Sequence, residues 1–119
     1  MNGISTALPV SVVIPCFDCA HTIERAVTSV ATQRQRPQEV IVVDDASGDN
    51  TALVLQRLEA TYPPGWLRRV TLARNQGAAS ARNAGWDVAA GQYVAFLDAD
   101  DAWHPDKLAL QYALMASEP

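Results

Sequence analysis

Positive charge is scarce in this sequence: nine lysines and arginines stand against thirteen acids, a formal net charge of -4. A nucleic-acid surface needs a basic face to meet the phosphates, so that class of partner is excluded. Long apolar runs are missing, and no stretch approaches the roughly 20 residues that span a bilayer. Met1-Asn2-Gly3-Ile4-Ser5-Thr6-Ala7-Leu8 has no basic residue and no long apolar centre, so it is not read as a signal peptide. A cytoplasmic location is expected, with association at the inner face of a membrane left open. Glycine is sparse as well, six in all. Neither Gly-x-Gly-x-x-Gly after the first strand nor a Gly-rich loop ending in Lys-Ser/Thr is present, which argues against ordinary NAD and P-loop chemistry. Cysteine is limited to Cys16 and Cys19. Their Cys-x-x-Cys spacing between a strand and a helix is where a thioredoxin-like pair would sit. The intervening Asp18 opposes thiolate formation, and zinc would find only His21 and His104 as further ligands. Two reduced loop cysteines are the expectation, with redox or zinc chemistry as the alternatives.

What is present is a globular core. Nearly half of the 119 residues are apolar, enough for one domain. Val10–Ile14, Glu39–Asp44, Val70–Ala73 and Gln92–Leu97 read as short, nearly continuous apolar strands. Between them lie helical patterns. Thr22 caps the first, with Ile23, Ala26, Val27 and Val30 on one face, and it frays through Gln33-Arg34-Gln35-Arg36 before Pro37. The second carries Val54, Leu55, Leu58 and Tyr62. The third is alanine-rich from Ala78 to Val88, and the last opens at His104-Pro105 with Leu108, Tyr112 and Met115 on one face. Strands apolar on both sides, alternating with amphipathic helices, predict an α/β Rossmann-like, mostly parallel sheet with helices on both faces. Right-handed crossovers give strand order 3-2-1-4, with the ligand at the carboxyl rim where the order reverses.

That rim gathers acids. The last strand, Tyr93-Val94-Ala95-Phe96-Leu97, stops at Asp98-Ala99-Asp100-Asp101. Two carboxylates about 5 Å apart repel by roughly 3 kcal/mol at an effective dielectric near 20, so the cluster asks for a cation or full solvation. Asp98 and Asp100, two apart, point the same way on extended backbone and could share one Mg²⁺ or Mn²⁺, whose shell substrate phosphates would complete. Phe17, after the first strand, could stack on a nucleobase. Asp45, after the second, could accept hydrogen bonds from base or ribose. Arg82 is a candidate cation for a diphosphate, or an ordinary surface arginine. Asp44 is either part of this rim or only a strand-terminating, helix-capping acid. Ser47-Gly48-Asp49 reads as turn and cap. Trp66, Trp86 and Trp103 read as packing residues, with Trp103 the one kept open as a sugar platform.

Four segments in this order resemble family 2 glycosyltransferases of the inverting, GT-A type. They are Val10-Ser11-Val12-Val13-Ile14-Pro15, Val42-Val43-Asp44-Asp45-Ala46-Ser47, Asn75 through Gly85, and Phe96-Leu97-Asp98-Ala99-Asp100-Asp101. The resemblance implies the N-terminal half of a GT-A fold, binding a nucleotide-diphospho-sugar (a UDP-sugar foremost) with Mn²⁺ or Mg²⁺ for transfer to a hydroxyl of a saccharide or lipid-linked acceptor. It implies that the Pro15 loop and Asp45 hold the base and ribose, and that Asp98-Ala99-Asp100 is the Asp-x-Asp motif. Asp100 is then the direct metal ligand and Asp98 lies nearer ribose or sugar; Arg82 approaches the diphosphate.

Two departures stand out. Phe17-Asp18 replaces the family's usual Tyr-Asn, losing a hydroxyl and adding a charge near the nucleotide. The second concerns the acceptor-side general base that an inverting transfer needs. No carboxylate here suits that role, so the base is expected beyond Pro119. Residues 1–8 are accordingly expected as a flexible segment and 9–119 as a donor-binding domain cut before the acceptor half, with self-association through the uncovered face or an exposed sheet edge. The rival readings are a non-catalytic nucleotide-binding module and a Cys-x-x-Cys redox protein.

Overall fold

Alternate residues of the first two strands face opposite sides of one sheet, and both sides are dry. The computed structural model describes residues 7–117. Its elements are β1 (Leu8–Cys16), α1 (Ile23–Ala31), β2 (Pro37–Asp44), α2 (Thr51–Thr61), β3 (Leu67–Thr71), α3 (Ala78–Val88), β4 (Tyr93–Phe96) and α4 (Lys107–Ser117). The sheet order is β3-β2-β1-β4, parallel throughout, as the crossover rule requires. Val10, Val12 and Ile14 of β1 and Val40 and Val42 of β2 meet Ile23, Ala26, Val27 and Val30 of α1, Leu55 and Leu58 of α2, and Leu108 of α4. The opposite face is covered by α3, where Val13, Ile41 and Val43 meet Ala81. Gly85 makes that approach possible: a Cβ there would overlap the Val13 methyls and lie 3.2 Å from Val43 Cγ2. The close packing outweighs the roughly 1 kcal/mol that a mid-helix glycine costs.

Pro15 lies inside β1, not beyond it. The Val13 carbonyl accepts from Leu97 N and the Cys16 carbonyl from Asp45 N, so Val13 and Pro15 face β4 while Cys16 faces β2. Pro15 has no N–H to offer β4, and the ladder stops after the Leu97 N to Val13 O bond, so the proline falls where the pairing ends. β3 starts at Leu67, three residues before the expected Val70. Pro63-Pro64-Gly65 makes a short turn, and Trp66 O at once accepts from Val40 N. Leu8 opens β1. Residues 1–6 of the expected flexible segment lie outside the described residues. So does Pro119, the position beyond which the general base is expected; the last described element is α4, ending at Ser117. The chain after α1 does not fray freely. Gln33 is buried and hydrogen-bonds Ser29, His104 and Leu108. Thr22 stands at the α1 N-cap position without a side-chain capping bond. No helix among the described residues is long and apolar enough to cross a membrane.

The amino-terminal end of the sheet is fastened by one buried carboxylate. Glu39 on β2 accepts from Ser11 Oγ at 2.6 Å and Ala90 N at 2.7 Å, and pairs with Arg68 of β3 at 3.0 Å. Ser11 Oγ in turn accepts from Gly91 N at 2.8 Å. A Cβ on Gly91 would fall 2.6 Å from Ser11 N, so only glycine allows this backbone approach. Burial alone pushes the Glu39 carboxyl upward; the Ala90 amide, the Ser11 hydroxyl and Arg68 outweigh it and hold it below its ordinary 4.5. A depressed folded-state value means that the stabilisation is complete above the ordinary value and is lost as pH falls through the folded one. Glu39→Gln is expected to cost about 2 kcal/mol at pH 7, with a difference from the parent that narrows as pH falls below the ordinary carboxylate value. Urea unfolding at a series of pH values measures this, and a gap that stays constant down to acid contradicts it.

Candidate functional site

At the carboxyl end of β1 the chain turns sharply. Asp18 adopts a left-handed conformation, φ 49°, which an aspartate tolerates better than most residues. The turn brings Cys19 back beside Cys16, Cα–Cα 5.9 Å, and the two are joined in a disulfide. This corrects the expectation of two reduced thiols: the spacing alone did not reveal the left-handed residue that closes the ring. Both sulfur-bearing residues are buried. Disulfide exchange catalysis needs an accessible thiolate, so the geometry disfavours the redox-enzyme reading.

The resulting Cys16–Cys19 loop is fastened to the segment between β2 and α2. Asp18 N donates to Ser47 Oγ (2.9 Å), and Gly48 N donates back to Asp18 Oδ1 (2.7 Å). Cys19 N reaches Thr51 Oγ1 (3.2 Å) and Ala20 N reaches Asp49 Oδ2 (3.3 Å). Asp49 also accepts from Thr51 N and the Thr51 hydroxyl at the start of α2, and that hydroxyl holds its carboxyl below the usual range. Ser47 and Asp49 thus serve as turn and cap residues. Phe17, at the tip, is half exposed.

The acids ending β2 are buried and partnered. Asp44 Oδ1 accepts from Ser47 N at 3.0 Å, a turn-closing role. The two carboxylate oxygens of Asp45 accept from Gln76 N and Gly77 N, both at 2.8 Å. They hold the entry to α3, where Gly77 has φ 95°. Asp45 nevertheless lines a small cavity of about 90 Å³ with Pro15, Phe17 and Ala78.

The acids ending β4 are different. Leu97 N continues the sheet to Val13 O, and Asp101 N closes a turn on Asp98 O. Asp98 and Asp100 are exposed. Asp101 accepts from Ala102 N and Asp106 pairs with Arg34, but the carboxylates of Asp98 and Asp100 have no such partner among the described residues. Together with Ala99, Pro15, Phe17 and Asp18 they line one open cleft of about 530 Å³ at the rim between β1 and β4. Six of the nine residues named from sequence therefore share one cleft, and Asp45 borders it. Asp44 and Arg82 do not line it. The cleft's acids are Asp18, Asp98 and Asp100; Asp18 accepts from Gly48 N through Oδ1, and the other two are the expected metal ligands. His21, Thr22 and Ala78 also line the cleft, although sequence reasoning gave them other roles. Their signal was positional, because the helices that follow β1 and β3 begin at the ligand-bearing rim. A second cleft of about 470 Å³ lies at the opposite end, beside Gln33–Pro37 and Trp66. Its arginines are engaged, Arg34 with Asp106 and Arg36 over the Trp66 ring.

Among the described residues no three histidine, cysteine or acidic side chains converge to hold a metal ion. Two free carboxylates of hard oxygen character still fit a cation of the Mg²⁺ or Mn²⁺ kind, which takes one or two protein carboxylates and fills its shell with water and phosphate.

Comparison with known proteins agrees with this geometry. The family model of glycosyl transferase family 2 matches residues 11–119. The chain belongs to that family. TuaG of Bacillus subtilis, provisionally named a teichuronic acid biosynthesis glycosyltransferase, is 43% identical over 106 residues, covering 89% of this chain and 41% of TuaG. The mannosyltransferase PcManGT from Pyrobaculum calidifontis, solved with GDP-Man and Mn²⁺, superposes with TM-score 0.86 at 31% identity, over 96% of this chain and 34% of its own. S. aureus TarS 1-349 with UDP-GlcNAc gives TM-score 0.79 at 29% identity, over 90% of this chain and 31% of its own. The fold is thus the amino-terminal part of the GT-A glycosyltransferase fold. The chain spans 41%, 31% and 40% of the length of three curated relatives.

The disulfide carries a separate expectation. Its ring closes over a sequence separation of 3, for which chain entropy gives about 2 kcal/mol. Reduction with a thiol is expected to lower the melting midpoint by on the order of 10 °C. The Cys16→Ser/Cys19→Ser variant should melt low and ignore the reductant; a parent equally indifferent would contradict the bond.

Proposed function

We propose that this chain is the donor-binding part of an inverting glycosyltransferase, taking a nucleotide-diphospho-sugar together with Mn²⁺ or Mg²⁺. One observation carries the reading: the free carboxylates of Asp98 and Asp100 and the exposed ring of Phe17 face the same cleft. Phe17 offers a stacking face for the base. Pro15 and the fastened Asp18 turn shape the floor, and Asp45 sits at the edge within reach of base or ribose. Asp100 is the direct metal ligand and Asp98 the group nearer ribose or sugar. The chemistry such an ion supplies when bound is neutralisation of charge on the leaving diphosphate. Arg82 does not line the cleft, so a diphosphate contact from it requires its side chain to swing round the start of α3.

The donor classes have support in the neighbours solved with UDP-GlcNAc and with GDP-Man and Mn²⁺. A UDP-sugar is favoured by WfgD of Escherichia coli, 36% identical over 109 residues and named for transfer from UDP-Glc to GlcNAc-diphosphoundecaprenol. That name also supports a hydroxyl on a lipid-linked saccharide as acceptor, met at the cytoplasmic face of a membrane. We assign the acceptor site, and the general base that deprotonates its hydroxyl, to the part of the relatives' length that this chain does not span, beyond the position of Pro119.

Thermal denaturation tests the donor site. UDP with Mn²⁺ at about a hundredfold excess over Kd should raise stability by about 2.7 kcal/mol, on the order of 10 °C. Asp100→Asn alters an exposed side chain without a structural partner, so it should fold normally and lose the shift. A midpoint unmoved by UDP and Mn²⁺ overturns the assignment.

Self-association is supported at the exposed sheet edge. Trp86 stacks on Phe96 at 6.2 Å, both exposed, beside the unpaired edge of β4. An apolar patch along an open strand edge invites a second copy. Light scattering should show a mass rising with concentration and a Trp86→Asp variant that stays monomeric; a parent that is monomeric throughout contradicts this.

A further inference from the structure

We propose that Arg25 is a positioning residue for the Asp98–Asp101 loop, and that α1 is the splint against which this loop is set. Arg25 Nη2 donates to the Asp100 carbonyl at 2.8 Å, across 75 positions of sequence. That carbonyl is held from outside the loop, whereas the Asp101 N to Asp98 O turn is internal to it. Orienting the peptide after Asp100 also orients the Cα–Cβ bond that carries the Asp100 carboxylate.

The segment that follows α1 grips the chain just beyond. There Gln33 Nε2 donates to His104 O at 2.7 Å, and Gln33 Oε1 accepts from Leu108 N at 2.9 Å. Arg34 N donates to Pro105 O at 2.9 Å, and the Arg34 side chain pairs with Asp106. The stretch from the acidic loop to the first turn of α4 is therefore fixed at one end to α1 and at the other to the residues that follow it. Among the described residues, Arg25 makes the one long-range hydrogen bond to the acidic loop itself, while Ala99 packs against the core.

The choice of atom matters. Arg25 forms no ion pair with Asp98 or Asp100 within the described residues; its guanidinium goes to a carbonyl. Both carboxylates stay available to a ligand, while a fixed positive charge stands beside three acids that repel one another. A salt bridge would have neutralised the carboxylates and removed them from use. A carbonyl contact holds the loop and leaves them free.

This inference rests on the donor-site reading, and two roles for Arg25 give opposite signs. If the cation acted only through its charge, removing it would make a divalent ion bind more tightly. If it positions the loop, removing it weakens binding although a repulsive charge is gone. The measurement is Mn²⁺ uptake in the presence of UDP, read from the loss of the free-ion electron paramagnetic resonance signal. Arg25→Ala should weaken uptake about tenfold, one charge-assisted hydrogen bond's worth of preorganisation. Arg25→Lys, which retains a donor and the charge, should recover part of the loss. The melting midpoint of both variants without ligand should stay close to the parent's, because Arg25 is an exposed helix residue. Uptake by Arg25→Ala equal to or tighter than the parent's overturns the positioning role and leaves the donor site standing. No UDP-dependent uptake by the parent overturns the donor reading, and the role of Arg25 with it.

Discussion

The pairing of β1 with β4 is the constraint on which the rim depends. Its register runs over only four positions, Val10↔Tyr93 to Val13↔Phe96, and is extended by one bond from Leu97 N to Val13 O. A one-residue slip would exchange the faces of every β4 side chain. It would also move Asp98 and Asp100 along the rim relative to Phe17. So short a ladder needs its register set elsewhere, and Gly91 does so. The close approach of Gly91 to Ser11 leaves no room for a Cβ, and the Glu39 cluster ties that contact to β2 and β3. The end of the sheet remote from the cleft thus determines what faces it.

Acids recur through this molecule in two physical conditions. Glu39, Asp44 and Asp45 are buried and accept hydrogen bonds from amides or hydroxyls. A buried carboxylate in that state is structural, since losing its partners would strand a charge away from water. Asp98 and Asp100 are exposed and without protein partners among the described residues, so their lone pairs remain open. The contrast separates residues that look alike in sequence. The Asp44-Asp45 pair and the Asp98–Asp101 cluster both end apolar strands at the same rim, yet the first largely builds the loops and the second is available to a ligand.

This is also where legibility in the sequence stops. The α1 face of Ile23, Ala26, Val27 and Val30 follows from helical period, and all four are buried. The order of the strands follows from the handedness of crossovers, because apolar strands and helices alternate without ambiguity. What could not be read depends on partners distant in the chain. Asp45 is engaged by amides 31 and 32 positions away. Gln33 looks like the frayed end of a helix until His104 and Leu108 arrive beside it. The disulfide follows from one left-handed residue, which residue type permits but does not dictate. The start of β3 was obscured because Trp66 and Leu67 adjoin Pro63-Pro64-Gly65 and read as part of the turn. Arg82 reads as a diphosphate cation from its charge and its segment, but on α3 it does not line the cleft.

The replacement of an amide by Asp18 can be judged against this geometry. A new carboxylate beside a diphosphate would repel it by roughly 2 kcal/mol at about 8 Å and an effective dielectric near 20. Asp18 Oδ1, however, accepts from Gly48 N at 2.7 Å, and its own amide is held by Ser47. An asparagine could use its carbonyl oxygen in the same bond, so the turn needs an acceptor there and not a charge. The carboxylate is therefore extra to the fold, and its residue lines the cleft with charge to spare. Two consequences pull against each other: repulsion of the donor when no cation is bound, and attraction of the cation that would relieve it. On the proposed donor-site reading, a cleft of this composition would gain more from a bound cation than one with asparagine in the same turn.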